Sequence, residues 1–283
     1  MKYIAVLGSE GQLGKTLQYL VNQESCKYKF YSKQDVDITN RQSIESAFAQ
    51  HSFNFCVNCA AYTDVEAAEK DNKEAFLINV EGAKNVADTC REKNIKLIHI
   101  STDYVFDGKK RTPYTISDKT NPINEYGKSK LKGEYCIKEA LKEHYIIRAS
   151  WLYSVYGRNF FKTIVKRIGE NNSLKVTTEE IGTPTSCIDL SHFIFHIVNE
   201  DNLPFGIYNF SAQGSTTWYG FAKEIVKNLY PDRQTNISPT DNFKTIAKRP
   251  KYSVLDNIET QRVYKKFKKW EESLKEVINK LID

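Results

Sequence analysis

The sequence predicts an α/β protein with a doubly wound parallel sheet and a smaller C-terminal α/β lobe. Up to about residue 150, short β-branched runs alternate with helical patterns, and each run is apolar on both faces, as parallel strands covered by helices are. Beyond residue 150, Gly and Pro residues separate shorter elements. We therefore predict a first domain over residues 1–150 and a second lobe over 151–283, in which about 158–200 packs back on the sheet.

The predicted strands and helices follow one another in the order that a parallel sheet requires. Apolar residues at helical spacing begin at Leu13 in the first helix, include Ile44 and Phe48 in the second, and run from Phe76 to Cys90 in the third. Right-handed crossovers then place successive strands side by side. The predicted strands are 3–7, 28–32, 53–60, 97–102 and 145–149.

The composition favours a globular protein of the cytoplasm. Hydrophobic residues make up 40% and charged residues 27%, and the net charge of +6 comes from interspersed signs, so it does not indicate a nucleic-acid partner. The apolar runs are only of strand length, so we predict no membrane contact and a cytoplasmic location. Cys56 and Cys59 lie in an apolar run, and His192 with His196 lacks a third ligand, so we predict no metal site.

Three glycines follow the first predicted strand and open the first predicted helix. In this context Gly8 allows a sharp turn, Gly11 lets the backbone approach a pyrophosphate, and Gly14 permits close packing of helix on strand. The amides at the helix N-terminus would then meet the phosphates. The pattern predicts a Rossmann-type dinucleotide site, and the spacing G-x-x-G-x-x-G is typical of short-chain reductases and epimerases.

The second strand ends in the segment that reads the adenosine ribose in such folds. Here the segment carries the hydroxyl of Ser32 and the cation of Lys33, and the first acidic residue comes only at Asp35. This arrangement favours NADPH as the cofactor and leaves NADH possible. Asp37 and Ile38 follow as candidate adenine contacts. Asp37 could equally be a turn acid before a capped helix.

Thr102, Tyr126 and Lys130 form a candidate catalytic set. Tyr126 and Lys130 are spaced i,i+4 and share a helical face, while Thr102 ends a predicted strand. Reduction of a carbonyl develops an alkoxide, which needs a proton donor and hydrogen bonds at the oxygen. A free phenol has a pKa of about 10, so a neighbouring ammonium group is needed to lower it.

Motifs along nearly the whole chain carry a resemblance to a known family. They read GSEGQLG at 8–14, NCAAYTDVEAAE at 58–69, STDYVFDG at 101–108, YGKSK at 126–130, RASWLY at 148–153, NF at 159–160, GTPT at 182–185, GIYNF at 206–210 and RP at 249–250 with Ser253. With these motifs the chain resembles the extended short-chain dehydrogenase/reductases, and among them the dTDP-4-dehydrorhamnose reductases of bacterial polysaccharide synthesis.

The resemblance implies a role for each matching residue. It assigns catalysis to Thr102, Tyr126 and Lys130, and it makes the second lobe the substrate lobe. The implied cofactor contacts are Gly8, Gly11, Gln12, Leu13, Ser32, Lys33, Asp37, Ile38, Ala60, Ala61, Tyr62, Thr63, Tyr126 and Lys130. The implied contacts to the sugar nucleotide are Thr102, Asp103, Phe106, Tyr126, Trp151, Asn159 and Arg249.

Two of the implied substrate contacts have an independent chemical rationale. The ring of Trp151 could pack on the apolar face of a deoxysugar, although it could also be a large core side chain. Arg249 has the donors to bind a diphosphate, although a surface salt bridge would use the same donors. Cys59 stands where the family usually has alanine, which exchanges one small side chain for another. Some relatives are magnesium-linked dimers that use a glutamate just beyond the last loop glycine, but Lys15 stands here, so we expect no metal and a monomer or a weak homodimer.

The expected activity is NADPH-dependent reduction of the C4 ketone of a nucleotide-linked 4-keto-6-deoxyhexose, in the step that gives dTDP-L-rhamnose. Two alternatives stay open at this point. One is a sister reductase that differs in the base or in the stereochemistry at C4. The other is a non-catalytic NADP-binding regulatory subunit, against which the intact triad of Thr102, Tyr126 and Lys130 argues.

Overall fold

A computed structural model describes residues 1–170, 173–231, 237–241 and 244–282 of the chain. Strands and helices alternate through its first half, as the sequence predicts. In chain order the elements are β1 Tyr3–Leu7, α1 Gln12–Leu20, β2 Lys27–Tyr31, α2 Arg41–Ala49, β3 Phe55–Asn58, α3 Val65–Lys70, α4 Asn72–Phe76, α5 Ala83–Glu92, β4 Lys96–Thr102, α6 Glu125–Ala140, β5 His144–Ala149, β6 Leu152–Tyr153, α7 Phe160–Gly169, β7 Leu174–Thr177, β8 Ile181–Gly182, β9 Thr185–Ser186, α8 Cys187–Glu200, β10 Gly206–Phe210, β11 Thr216–Thr217, α9 Trp218–Leu229, β12 Ile237–Thr240, α10 Ile258–Val263 and α11 Trp270–Ile282.

The central sheet confirms the predicted fold class. It has six strands in the order β2-β1-β3-β4-β5-β10, and every neighbouring pair is parallel. The chain leaves β1 towards β2 on one side and returns to β3 on the other, so the strand order reverses at β1 and β3. In doubly wound sheets the ligand crevice lies at this reversal, beyond the carboxyl ends of the strands.

The sixth strand was not among the predicted strands of the sheet. β10 lies in the second lobe of the sequence and pairs with β5, from Gly206 with Tyr145 to Phe210 with Ala149. Its Asn209 is fully buried and donates to the Tyr114 carbonyl oxygen at 2.7 Å. The residue 150 boundary between a cofactor domain and a substrate lobe stays a prediction.

Helices cover both faces of the sheet. One core contains Leu13 and Leu17 of α1 together with the buried face of α8, and those two helices contact each other. The other core contains Ile44 and Phe48 of α2 with buried residues of α5 and α6. Burying the sheet between these layers stabilises it by roughly 25 cal/mol for each Å² of apolar surface removed from water. Among the described residues, no helix is long and apolar enough to cross a bilayer.

Candidate active site

A cavity of about 710 Å³ lies beyond the carboxyl ends of β1, β3, β4 and β5. It is the crevice that the strand order predicts, and residues from both halves of the chain form its wall. Its lining includes Gly11, Gln12, Leu13, Ala61, Thr63, Thr102, Asp103, Tyr126, Lys130, Trp151, Asn159, Trp218 and Arg249. The structure therefore brings together most of the residues that the sequence pointed to, although they span nearly the whole chain.

The glycine loop between β1 and α1 has the geometry expected of a phosphate-binding turn. Gly8 has φ of +75°, and a Cβ there would collide with the backbone of Ala60, at 2.6 Å from its nitrogen. The β1 loop and the β3 loop can therefore touch only because residue 8 is a glycine. Gly11 is the exposed N-cap of α1, and its own amide donates to the Gly8 carbonyl oxygen at 3.1 Å. The amides left to meet an anion are those of the first turn of the helix, from Gln12 onwards.

The end of β2 borders a second cavity of about 640 Å³, lined by Ser32 and Asp35 among others. The Asp35 carboxylate accepts from the Ser32 backbone nitrogen at 2.8 Å and from its hydroxyl at 2.7 Å. These hydrogen bonds from Ser32 lower the pKa of Asp35. Lys33 lies beside them with an exposed side chain. Asp35 therefore closes the turn, and Lys33 is exposed beside it but is not among the residues that line this cavity.

Asp37 has the structural role that the sequence left as an alternative. Its Oδ1 accepts from the Thr39 backbone nitrogen at 2.9 Å and from the Thr39 hydroxyl at 2.8 Å. Asn40 then caps α2 by accepting from the Ser43 nitrogen. Ile38 is buried, and its side chain packs against Gly82. A contact from this segment to adenine would therefore come from the backbone or from the edge of the Asp37 carboxylate.

The loop after β3 is fixed to the rest of the site by buried amides. The Ala60 nitrogen donates to Asn58 Oδ1 at 3.1 Å. The Tyr62 backbone donates to Asn79 Oδ1 and accepts from Asn79 Nδ2, which also donates to Ser129 of α6 at 2.9 Å. These bonds hold the predicted cofactor loop, 60–63, at a set distance from the helix that carries Tyr126 and Lys130.

Thr102 and Tyr126 both line the cavity. Thr102 ends β4, and its hydroxyl accepts from the Tyr104 nitrogen at 3.1 Å. A Cβ at Gly127 would collide with the Tyr104 carbonyl, so glycine at this position lets α6 approach the end of β4. Burial raises the pKa of Tyr126 to about 12, although a hydrogen bond with Thr102 acts in the opposite direction. The phenol is therefore protonated at neutral pH.

Lys130 is the most deeply buried member of the triad, with 2% of its surface exposed. Its amine donates to the Ile100 carbonyl oxygen at 2.7 Å and lies 3.3 Å from His99 Nε2. Burial lowers the pKa of Lys130 to about 8, while the charge of Glu134 acts to raise it. We expected an ammonium group that lowers the pKa of Tyr126. In this structure the amine makes its close contacts with Ile100 and His99, and burial dominates the pKa of the phenol.

Asp103 places a carboxyl group beside the triad. It is 2% exposed, and its Oδ1 accepts from the Thr102 hydroxyl at 3.2 Å. Its Oδ2 is buried without a hydrogen-bond partner among the described residues. Burial raises the pKa of Asp103 to about 7, against the opposing effect of the nearby Ser253 and Thr102 hydroxyls. A ligand hydroxyl in the cavity would satisfy the free oxygen.

We expect Asp103→Asn to increase stability and to decrease any activity. Because the folded pKa of this carboxyl lies above its value in the unfolded chain, the wild type loses stability as the pH rises from about 4 to about 7. The amide variant avoids that loss, so it should be more stable by about 2–4 kcal/mol at about pH 8 and nearly equal to wild type at about pH 4. Urea unfolding at both pH values measures the difference.

The matched control is Asp107→Asn, four residues further on. Hydrogen bonds from Lys109, Asn121 and Tyr114 and the charge of Lys109 lower the pKa of Asp107, although burial raises it. Its carboxylate therefore stabilises the fold near neutral pH, and the amide variant should lose stability there. If both variants changed stability in the same direction at about pH 8, the interpretation of Asp103 would be wrong.

Trp151 lies at the junction of the two halves of the chain, with φ of +44°. A non-glycine residue in this region is strained, and here the ring is held by its neighbours. It stacks on Trp218 with ring centroids 3.5 Å apart, and Phe160 lies 4.5 Å from Trp218. The sequence reasoning missed Trp218. Its signal was an aromatic residue at the first position of a helix, directly after a short strand.

The remaining predicted substrate residues differ in where they lie. Arg249 lines the cavity and donates to Glu66 at 2.8 Å, so it forms the salt bridge that was its alternative role and still faces the cavity. Asn159 lines the cavity, but its polar atoms cap α7 and hold Gln12. The structure does not bring Phe106 to the cavity. Phe106 is fully buried and stacked on Tyr114, so it cannot be a direct sugar contact.

A buried ion pair behind the cavity was also missed from the sequence. Arg148 of β5 and Glu134 of α6 are 3% and 1% exposed, and Arg148 donates to both carboxylate oxygens of Glu134, at 3.0 and 2.7 Å. The Ser101 hydroxyl of β4 also donates to Glu134. Because Glu134 is one turn beyond Lys130, these bonds fix the helix against the strand that ends in Thr102.

Within the described residues, no group of three or more His, Cys, Asp and Glu side chains could hold a metal ion.

The chain is similar to known proteins over nearly its whole length. The model of the family described as RmlD substrate binding domain matches residues 1–282. The dTDP-4-dehydrorhamnose reductase of Sinorhizobium fredii is 32% identical over 286 residues, which cover 97% of this chain and 96% of that protein. The dTDP-4-keto-6-deoxy-D-glucose reductase of Streptomyces niveus is 34% identical over 252 residues, which cover 88% and 87%. The crystal structure of dTDP-4-dehydrorhamnose reductase from Bacillus anthracis in complex with NADP is 36% identical, covers 99% of this chain and 100% of that chain, and has a TM-score of 0.94.

Proposed function

This chain belongs to the RmlD substrate binding domain family, and on that premise we propose that it reduces the C4 ketone of a dTDP-linked 4-keto-6-deoxyhexose with NADPH. The observation that carries the proposal is the position of Tyr126. Its phenol lies beside Thr102, on the same helix face as Lys130, in one cavity with the glycine loop. A hydride acceptor bound there would have a proton donor at hand.

The residues present fit NADPH. The amides of the first turn of α1 suit a pyrophosphate, and the second cavity beside Ser32 suits the adenosine end. NADPH, when bound, supplies the hydride. We propose as its contacts Gly8, Gly11, Gln12, Leu13, Ser32, Lys33, Asp37, Ile38, Ala60, Ala61, Tyr62, Thr63, Tyr126 and Lys130.

The chain's own residues would bind the sugar and move one proton. The Tyr126 hydroxyl donates its proton to the C4 oxygen as negative charge develops there, and the Thr102 hydroxyl orients the same oxygen. Asp103 Oδ2, which is buried and makes no hydrogen bond within the described part of the chain, accepts from a sugar hydroxyl. The Trp151 ring packs on the apolar face of the sugar, and Arg249 binds the diphosphate. Asn159 supports this wall by capping α7.

The product and the setting of the enzyme are finer proposals. We favour dTDP-L-rhamnose, made for polysaccharide synthesis. A second candidate is a sister reductase that differs in the base or in the stereochemistry at C4, and the similarity to a dTDP-4-keto-6-deoxy-D-glucose reductase supports action on a sister sugar. The cytoplasmic location and the monomeric or weakly dimeric state stay predictions.

Loss of NADPH absorbance on addition of a sugar nucleotide tests the proposal. Turnover is expected with dTDP-4-keto-6-deoxy sugars, and slower or no turnover with the UDP, GDP and CDP analogues. NMR of the product then distinguishes the two configurations at C4. Tight NADPH binding with turnover of none of these sugars would contradict the proposal and favour the non-catalytic regulatory subunit.

Lys33→Ala is expected to weaken the use of NADPH selectively. A lysine next to a 2′-phosphate contributes a charge-assisted contact worth about 1–3 kcal/mol, so kcat/KM for NADPH should fall by about 10- to 100-fold. The value for NADH should change less than about twofold, since NADH has no 2′-phosphate. Lys27→Ala, an exposed lysine at the start of β2, is the matched control. An equal loss with both cofactors would mean that Lys33 does not contact the 2′-phosphate.

A further inference from the structure

A row of buried polar side chains runs behind the cavity from the end of β3 to the triad. Asn58 is 1% exposed, His99 is 1% exposed and Lys130 is 2% exposed. Asn58 Nδ2 lies 3.2 Å from His99 Nδ1, and His99 Nε2 lies 3.3 Å from Lys130 Nζ. Asn58 and His99 are shielded from water, and Lys130, although it lines the cavity, is almost fully buried, so the direction of each hydrogen bond in the row determines which atoms carry the protons.

The orientation of the Asn58 amide is fixed by the backbone. The Ala60 nitrogen can only donate, and it points to Asn58 Oδ1 at 3.1 Å. The NH2 group of Asn58 must therefore be the end that faces His99. This assignment does not depend on any choice at the histidine.

The tautomer of His99 follows from the amide. An NH2 group only donates, so His99 Nδ1 must accept and carries no proton. Burial and the charge of Lys130 lower the pKa of His99 well below its usual value, so the ring is neutral. A neutral imidazole with an unprotonated Nδ1 has its one proton on Nε2. That N–H points at Lys130 Nζ.

We propose that His99, held by Asn58 in its Nε2–H form, is a positioning residue that presents a hydrogen-bond donor to Lys130 and thereby favours the neutral amine. An ammonium group there would place donor against donor. The neutral amine accepts from His99 Nε2–H with its lone pair and donates to the Ile100 carbonyl at 2.7 Å. Burial by itself lowers the pKa of Lys130 to about 8, so the neutral amine is accessible near neutral pH.

Other charged and titratable groups around Lys130 come from each neighbouring element. Glu134 of the same helix favours the ammonium form, but its carboxylate is already bonded by Arg148 of β5 and by Ser101 of β4. Cys59, after β3, also acts to raise the pKa of Lys130. His144 of β5 acts to lower the pKa of His99. Tyr126 lies on the same helix face as Lys130. Among these groups, His99 offers Lys130 a donor within hydrogen-bonding range.

The catalytic consequence rests on the proposed function. If Lys130 must be charged for the reduction, then His99 sets the upper pH limit of the reaction, because it favours loss of that charge. The family resemblance assigns roles to the triad, and this inference adds two residues behind it. The state of the histidine itself can be tested without any substrate.

The first experiment is NMR of the protein labelled with ¹⁵N-histidine, in the absence of ligands. The signal of His99 is identified by its loss in His99→Phe. The expected result is a proton on Nε2 in the wild type and on Nδ1 in Asn58→Asp, because the new carboxylate accepts from Nδ1. A proton on Nδ1 in the wild type, or an unchanged tautomer in Asn58→Asp, would overturn the proposal whether or not the protein is a reductase.

The second experiment is the pH profile of kcat/KM. The wild type is expected to lose activity on an alkaline limb near pH 8, where Lys130 loses its charge. In Asn58→Asp, His99 Nε2 becomes an acceptor for the Lys130 ammonium group, so the alkaline limb of the kcat/KM profile should move up by about 1–2 pH units. The new negative charge alone would also raise the pKa of Lys130, and the same substitution in the His99→Phe background measures that effect. The shift there should be less than half as large; an equal shift in both backgrounds would rule out the role of His99.

Discussion

Tyr126→Phe is expected to lower kcat by about 10²–10⁴-fold, which is the usual contribution of a positioned general acid. The substitution removes only the hydroxyl that would protonate the sugar oxygen. The ring stays in place and keeps its edge-to-face packing with Tyr104, in which the two ring centroids are 5.9 Å apart. The affinity for NADPH should therefore change by less than about threefold, as measured by fluorescence titration.

Tyr135→Phe is the matched control for this variant. Tyr135 lies on the same helix, α6, but 47% of it is exposed. Removal of the Tyr135 hydroxyl should leave kcat unchanged. Wild-type turnover in Tyr126→Phe would remove Tyr126 as the acid, and an equal loss in both variants would point to a general effect on the helix.

Glu134→Gln or Arg148→Met is expected to reduce the free energy of unfolding by about 3–5 kcal/mol, because each leaves a buried charge without its partner. Both side chains are almost fully buried and bonded through two oxygens. Urea denaturation measures the loss. Turnover should fall as well, since α6 would lose its attachment beside Lys130.

Two further variants test whether the single substitutions lower the free energy of unfolding because the charge that each leaves behind is buried. Arg91→Met removes a half-exposed arginine together with its ion pair to Asp88, in which the two atoms are 2.9 Å apart, and its hydrogen bond to the Ala140 carbonyl oxygen. Because Arg91 itself is 50% exposed, this substitution should cost at most about 1 kcal/mol. The double variant Glu134→Leu with Arg148→Met replaces both charges by apolar groups and should recover much of the stability. A single variant no more costly than Arg91→Met would show that the buried pair does not hold the helix.

Much of the fold could be predicted because its signals are local. The continuous apolar runs of β1 and β4 indicate buried strands, and the spacing of Leu13, Leu17 and Leu20 indicates a helix on one face. The glycine pattern gave the position of the first loop because each glycine meets a specific steric demand. β10 was not predicted as a strand of the sheet, because its pairing with β5 depends on a chain that returns from the second lobe.

The site could be predicted only in part, because sequence motifs do not give side-chain directions. Phe106 and Asp103 stand in the same motif, yet one is stacked in the core on Tyr114 and the other lines the cavity. As single residues, Trp218 and His99 do not indicate a functional role. Their importance comes from contacts with Trp151 and Lys130, which are distant in sequence.

The central proposal is that NADPH bound in this cavity transfers hydride to C4 of the sugar while Tyr126 donates a proton to the C4 oxygen. The most direct measurement is the isotope content of the product formed with NADPH that carries deuterium at the transferred position. The account predicts one deuterium at C4 of the sugar from the wild-type protein and almost none formed by Tyr126→Phe in the same time. A product without deuterium at C4, or equal labelling by Tyr126→Phe, would contradict it.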